Sequence, residues 1–292
     1  MPTRRSLLLG MMAVLAAAPA TGRGQSQDAN ARALARIDAL EAEYGGRLGV
    51  AVLDTATGRR LLRRADERFP LCSTFKLLAA AAVLKRVDVG ADRLDRLIPY
   101  APADLLDYAP ITKNRVAEGG MPLGDLCAAA IDWSDNTAGN LILRDIGGPA
   151  GFTGYARSLG DTLTRLDRTE PTLNTALAGD ERDTTSPSAM LADLRAVLLG
   201  NALSAASRDR LTQWMIADKV GDKRIRAGLP PGWIAGDKTG AGDNGATNTI
   251  AILWPPHRAP LLACVYFVGS TADTEARNGV HTEIGRIIAS TM

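Results

Sequence analysis

The chain has 292 residues, 46% hydrophobic and 23% charged, with a formal net charge of +2, an ordinary globular composition for one large or two moderate domains. Nearly balanced charge, with no basic run and no aromatic stacking platform, gives no sign of a nucleic-acid partner. Only two histidines (His257, His281) and three cysteines (Cys72, Cys127, Cys264) in no zinc-type spacing argue against a metal centre and a Ser-His-Asp triad.

Residues 1–20 have the form of a targeting segment. Arg4-Arg5 precede an apolar run from Leu7 to Ala17, and Ala18-Pro19-Ala20 offers a small-x-small cleavage site. Thr3-Arg4-Arg5-Ser6-Leu7-Leu8 resembles a twin-arginine signal, so a soluble mature protein in the periplasm is expected, off the membrane after cleavage. Residues 28–44 predict a helix, with Leu34, Ile37, Leu40 and Tyr44 on one stripe and Gly45-Gly46 as its stop. Leu48–Leu53 and Arg60–Arg64 predict two strands around a turn at Thr55–Gly58. A lone hairpin is marginal in water, and its partners come from the far end of the chain. There Trp233–Thr239, Thr249–Trp254 and Leu261–Val268 predict three more strands, followed by a helix with Ala276, Val280, Ile284, Ile287 and Ile288 on its stripe. His257 and His281 are both expected at the surface, in a loop and on that last helix.

Between the termini, helices are predicted at Leu123–Ile131, Thr137–Ile146, Ser188–Leu199 and Ser207–Met215, besides one opening near Ser73. The fold class is therefore α+β. A roughly five-stranded antiparallel sheet (28–65 plus 216–292), flanked by terminal helices, receives an inserted all-helical domain (66–215), with the active site between them.

Ser73-Thr74-Phe75-Lys76 opens an apolar segment that runs to about Val87 with almost no polar face, as expected of a helix buried on several sides. Ser73 falls at the helix start, where free backbone N–H groups favour a developing anion, and Lys76 shares its face. Burial lowers a lysine pKa toward the range of a base, and a serine beside such an amine is an activated nucleophile. S-x-x-K alone fixes two letters, but of six lysines only Lys76 has a serine three residues before it. Ser134-Asp135-Asn136 stands before a helix, where each residue type also serves as a cap. Lys238-Thr239-Gly240 ends a predicted strand, where glycine admits close backbone approach.

In this order, S-x-x-K, S-D-N and K-T-G are the set found in class A β-lactamases and penicillin-binding proteins. A fourth element, Arg165-Leu166-Asp167-Arg168-Thr169-Glu170-Pro171-Thr172-Leu173-Asn174 with Asp180 to Thr185, is similar to the Ω-loop of the class A enzymes. The chain resembles class A serine β-lactamases over essentially all of its mature length. Thr169 and Thr247 stand where several relatives carry larger or charged residues, and Ala80 where some carry a cysteine facing Cys127.

The resemblance implies hydrolysis of the β-lactam amide of penicillins and cephalosporins through an acyl-serine, by a monomer without cofactor or metal. Ser73 is the nucleophile, and Ser134 relays a proton to the leaving nitrogen with Lys76 and Lys238. Either Lys76 or Glu170, through a water, takes the proton from Ser73. The N–H groups of Ser73 and Ala241 form the oxyanion hole. Glu170 and Asn174 hold the deacylating water. Asn136, Tyr108, Lys238, Thr239 and Gly240 contact substrate, and Arg168 pairs with Asp183 across the loop neck. An arginine that many relatives carry at the position of Thr247 is replaced by Arg224, which receives the substrate carboxylate. Some relatives join the residue before the nucleophile, here Cys72, to the position two past K-T-G. That position is Gly242, so three free thiols are expected. A D,D-peptidase shares the first three motifs but lacks Glu170 and Asn174; a slowly acylating sensor is the other alternative.

Overall fold

The computed structural model describes residues 21–292, with side chains from residue 28 onward, so the targeting segment read at residues 1–20 lies outside the described residues. Helix α1 (Thr21–Tyr44) leads into strands β1 (Arg47–Asp54) and β2 (Arg60–Arg63). Helices α2 (Phe75–Asp88), α3 (Leu123–Asp132), α4 (Asn136–Asp145), α5 (Gly148–Ser158), α6 (Pro187–Leu198) and α7 (Ala205–Ile216) follow. The chain then returns through β3 (Ile234–Ala241), β4 (Thr247–Trp254) and β5 (Leu261–Val268) to α8 (Thr274–Thr291).

The five long strands form one antiparallel sheet in the order β2-β1-β5-β4-β3, so the N-terminal hairpin completes a sheet begun at the other end of the chain. Both faces of β5 are buried, and its side chains alternate between two cores as the two-residue pleat requires. Leu262, Cys264 and Tyr266 point to the helical side. Leu261, Ala263, Val265 and Phe267 point to the core under α1 and α8.

Helix α2 is buried from Phe75 to Leu84, which explains its lack of a polar face. Ser73 lies in a single 3-10 turn, Cys72–Thr74, that runs into α2, rather than in the first turn of α2 itself. Helix α5 has no counterpart among the predicted helices, because Gly148, Pro149, Gly151 and Gly154 mask it. Its proline occupies the first turn, where a missing N–H costs nothing. His257 is exposed in its turn, but His281, expected at the surface, is fully buried beneath β4. Its Nε2 sits 3.0 Å from the Thr247 carbonyl, which can only accept, so Nε2 carries the proton and Nδ1 accepts from Thr249 Oγ1 at 3.0 Å. Burial and the nearby Arg224 charge push its pKa down to about 3, so the imidazole is neutral.

Candidate active site

Four separate stretches of the sequence converge at the mouth between the sheet and the helices. A cavity of about 290 Å³ there is lined by Ser73, Tyr108, Ser134, Asn136, Asn174, Val220, Arg224, Thr239, Gly240 and Ala241. A larger cavity, of about 800 Å³, lies behind residues 168–182, but its arginines and carboxylates pair with one another and no nucleophile lines it. The smaller one holds the motif residues Ser73, Ser134, Asn136, Thr239 and Gly240 and is the candidate site.

Lys76 Nζ donates to Ser73 Oγ at 2.9 Å, to the Ser134 carbonyl at 2.8 Å and to Asn136 Oδ1 at 2.6 Å. It also pairs with Glu170 Oε1 at 3.0 Å, with both side chains 0% exposed. Ser73 Oγ donates to that same Glu170 oxygen at 3.2 Å, so one hydroxyl meets an amine and a carboxylate. Burial lowers the Lys76 pKa, and the Glu170 charge opposes the fall. Room for the lysine stem comes from Gly139 on α4, where a Cβ would stand 2.7 Å from Lys76 Cε.

Asp135 does not face the cavity. Its Oδ1 caps α4 by accepting from Ala138 N at 2.8 Å, and its Oδ2 accepts from Ile111 N and Thr112 N. Beside the Asp135 cap, Ser134 and Asn136 face Lys76 and Ser73, with Ser134 in the left-handed region at φ 57°. A non-glycine residue held there is strained, and Cys72, just before Ser73, is held likewise at φ 43°. Tyr108, 47% exposed at the rim, accepts from Asn136 N at its carbonyl (3.0 Å) and donates to the Trp133 carbonyl at 3.2 Å.

Strand β3 forms the opposite wall. Lys238 Nζ donates to Ser134 Oγ at 3.0 Å, and a Cβ on Gly240 would lie 3.1–3.3 Å from Leu71 O, Cys72 Cβ and Ser73 N. Glycine at 240 therefore lets the strand lie against the backbone of Leu71–Ser73. Burial, with the Lys76 charge adding to it, pushes the Lys238 pKa down to about 7. Asp218 and Asp237 point unpartnered oxygens at Gly221 behind it, and burial pushes both carboxyls up, Asp218 to about 7.

Arg224 is 8% exposed and enters the cavity from outside the sheet. Its Nη1 donates to the Gly240 and Asn248 carbonyls at 2.9 and 2.6 Å, and its Nε to Asn278 Oδ1 at 2.9 Å. Burial lowers its pKa to about 10, so it stays charged at neutral pH. Thr247 is buried beside Ala241 in the β3–β4 register and does not line the cavity.

The segment 165–183 carries Glu170 and closes on itself at its neck. Arg168 Nε pairs with Asp183 Oδ2 at 2.5 Å, while Asp183 Oδ1 accepts from Asp167 N and Arg168 N at 2.7 and 2.8 Å. Both partners are largely buried, so solvent screening of this pair is slight. Asn174 Nδ2 donates to Glu170 Oε2. Asn140, not singled out in the sequence, holds the backbone of Glu170 from α4. Its signal was spacing: it stands one turn past Asn136, on the same helix face. Gly242 separates Cys72 from the loop, since a Cβ there would meet Cys72 Sγ at 2.8 Å and the Asn174 carbonyl at 2.5 Å. All three cysteines are buried thiols. Among the described residues, no group of three or more His, Cys, Asp or Glu could hold a metal ion, and no helix is long and apolar enough to cross a membrane.

Comparison with known proteins matches residues 32–292 to the model of the β-lactamase enzyme family. β-Lactamase AST-1 of Nocardia asteroides is 48% identical over 257 residues, covering 88% of this chain and 83% of that protein. β-Lactamase CTX-M-97 of Escherichia coli is 44% identical over 285 residues, covering 97% and 98%. Among solved structures, an ancestral class A β-lactamase superposes with a TM-score of 0.87 at 57% identity, covering 88% of this chain and 98% of that one. The putative class A β-lactamase PenP from Rhodopseudomonas palustris superposes with a TM-score of 0.87 at 55% identity, covering 89% and 100%. The chain belongs to the β-lactamase enzyme family, among the class A serine β-lactamases.

Proposed function

We propose that Ser73 opens the β-lactam amide of penicillins and cephalosporins and that Glu170 then directs water onto the resulting ester, giving antibiotic resistance. The observation that carries this reading is the meeting of Lys76 Nζ and Glu170 Oε1 at Ser73 Oγ, at 2.9 and 3.2 Å. Ser73 Oγ attacks the lactam carbonyl as its proton leaves toward Lys76 or Glu170. The backbone N–H groups of Ser73 and Ala241 receive the oxyanion, and each such donor is worth about 100- to 1,000-fold in rate. Collapse breaks the C–N bond, and the nitrogen takes a proton from Ser134 Oγ, resupplied by Lys76 or Lys238. Glu170 then removes a proton from a water oriented with Asn174, and the water cleaves the acyl ester.

The substrate carboxylate meets Lys238, Thr239 and Nη2 of Arg224, while Asn136 holds the side-chain amide and Tyr108 covers the mouth. The enzyme works as a periplasmic monomer exported through its N-terminal segment by the twin-arginine route. Its sheet domain comprises residues 28–65 and 216–292, around a helical domain of residues 66–215. Turnover of a chromogenic cephalosporin, followed with the intact mass of the protein, tests the reading. Multiple turnover without a persistent adduct is expected; a stable stoichiometric adduct on the unaltered protein contradicts it.

A further inference from the structure

Two buried carboxyls outside the active site have no role in the reaction described above. Asp193 projects from α6 into the core with 1% exposure, and Asp161 lies in the segment that follows α5 with 8% exposure. Asp161 Oδ1 accepts from Leu163 N at 2.7 Å and Thr164 N at 3.0 Å. Oδ2 of each aspartate is buried and finds no donor, although the two carboxyls stand within hydrogen-bonding reach of each other. A buried carboxylate without a donor is costly, and two such carboxylates in contact cannot both be ionised.

The surroundings offer little compensation. From α5, Tyr155 and Arg157 lie near the pair, and from β5, Cys264 and Tyr266. Arg157 is the only cation among them, and its Nη1 is taken by the carbonyls of Asp161 and Thr164 at 2.7 and 2.8 Å. Burial and the Asp161 charge push the Asp193 carboxyl up to about 9, whereas the hydrogen bonds it accepts hold Asp161 below its ordinary value despite burial.

We propose that Asp193 is protonated in the folded enzyme and donates to Asp161 Oδ2, a carboxyl–carboxylate latch that ties the entry of the Glu170 loop to helix α6. The entry runs directly from this latch. Thr164 Oγ1 meets Thr185 Oγ1 at 2.6 Å, Arg165 N donates to the Thr184 carbonyl at 3.0 Å, and the Arg168–Asp183 pair follows. Asp193 and Asp161 are thus positioning residues for Glu170, and this link rests on the deacylating role assigned to Glu170. When the shared proton leaves, two buried carboxylates repel and the loop entry loosens.

The linkage has a definite sign. Between the ordinary aspartate pKa and the raised folded value, the unfolded chain has released the Asp193 proton and the folded chain keeps it. Fewer protons are bound in the unfolded state, so stability falls as pH rises across that window. Asp193→Asn keeps a donor toward Asp161 without the titration. Its Tm should match the parent near pH 4 and exceed it increasingly up to about pH 9, by roughly 5–15 °C across the window. In the infrared, Asp193→Asn and Asp161→Asn should each lose a protonated-carboxyl carbonyl band present in the parent at neutral pH. Asp161→Asn also serves if the first variant does not fold, since its amide donates to an ionised Asp193. The alkaline fall of kcat should lie at higher pH in Asp193→Asn than in the parent. A Tm gap independent of pH, or an unchanged infrared band, overturns the latch. Coincident alkaline profiles overturn its part in the reaction.

Discussion

The side-chain amide of Asn140 grips the backbone of Glu170 on both sides, Oδ1 accepting from Glu170 N at 2.9 Å and Nδ2 donating to Glu170 O at 2.9 Å. The Glu170 backbone is thereby fixed to helix α4, the same helix that carries Asn136. Asn140→Ala removes both bonds, each worth about 0.5–1.5 kcal/mol. A fall in kcat of about 5- to 150-fold is expected, from slower deacylation. Stopped-flow separation of the two steps checks this: acylation and deacylation slowed equally would place the effect elsewhere.

Arg224 spends Nη1 and Nε on fixed partners, which holds its guanidinium in place and leaves Nη2 to donate a charge-assisted hydrogen bond to an anion. Arg224→Ala should lower kcat/KM for benzylpenicillin by about 10- to 150-fold, the worth of a hydrogen bond to a charged group. Thr247, opposite Ala241 in the sheet register, offers the nearest replacement point, so adding Thr247→Arg should restore part of the loss. Unchanged kcat/KM in Arg224→Ala would move the carboxylate anchor to other residues.

His281 makes the fold sensitive to acid. Its folded pKa, about 3, lies below the ordinary histidine value, so between these the unfolded chain binds a proton that the folded chain refuses. Stability should therefore rise with pH across that window, by up to about 1.4 kcal/mol per pH unit. His281→Asn, which retains a donor and an acceptor, should show a flatter acid limb of Tm against pH. An acid limb identical to the parent's would mean that another group carries it.

The three thiols are buried, and burial raises all three pKa values. Alkylation should label none in the folded protein and three after unfolding without reductant. Fewer than three labels would reveal a disulfide.

Much of the architecture is legible in the chain because it rests on local patterns. The five strands announce themselves by apolar runs between turn residues, and β5 is found over its full length, Leu261–Val268. Ser73 and Ser134 are legible because each stands just before a helix, where short motifs fix the backbone, whereas Lys238-Thr239-Gly240, expected to end its strand, lies within β3, which runs on to Ala241. What stays hidden is set by partners distant in sequence. Asn140 matters only once Glu170, thirty residues on, folds back over α4. His281 lies beside the apolar stripe of α8, and only the packing of Gly285 against Ile225 shows how wide the buried arc is. The Asp161–Asp193 contact has no local signature, since an aspartate on a helix such as Asp193 reads as a solvated residue and Asp161 reads as a loop residue.

The division of labour between Ser73 and Glu170 is tested most directly by the intact mass of Glu170→Ala after mixing with benzylpenicillin. Removing Glu170 takes away the charge that holds the Lys76 pKa up, so the amine shifts further toward its neutral, basic form and acylation persists. The ester then waits for a water that nothing activates. A stoichiometric penicilloyl adduct, mapped to the peptide containing Ser73 and stable over many parent turnover times, is expected. Turnover at the parent rate, or an adduct on any other residue, would contradict it.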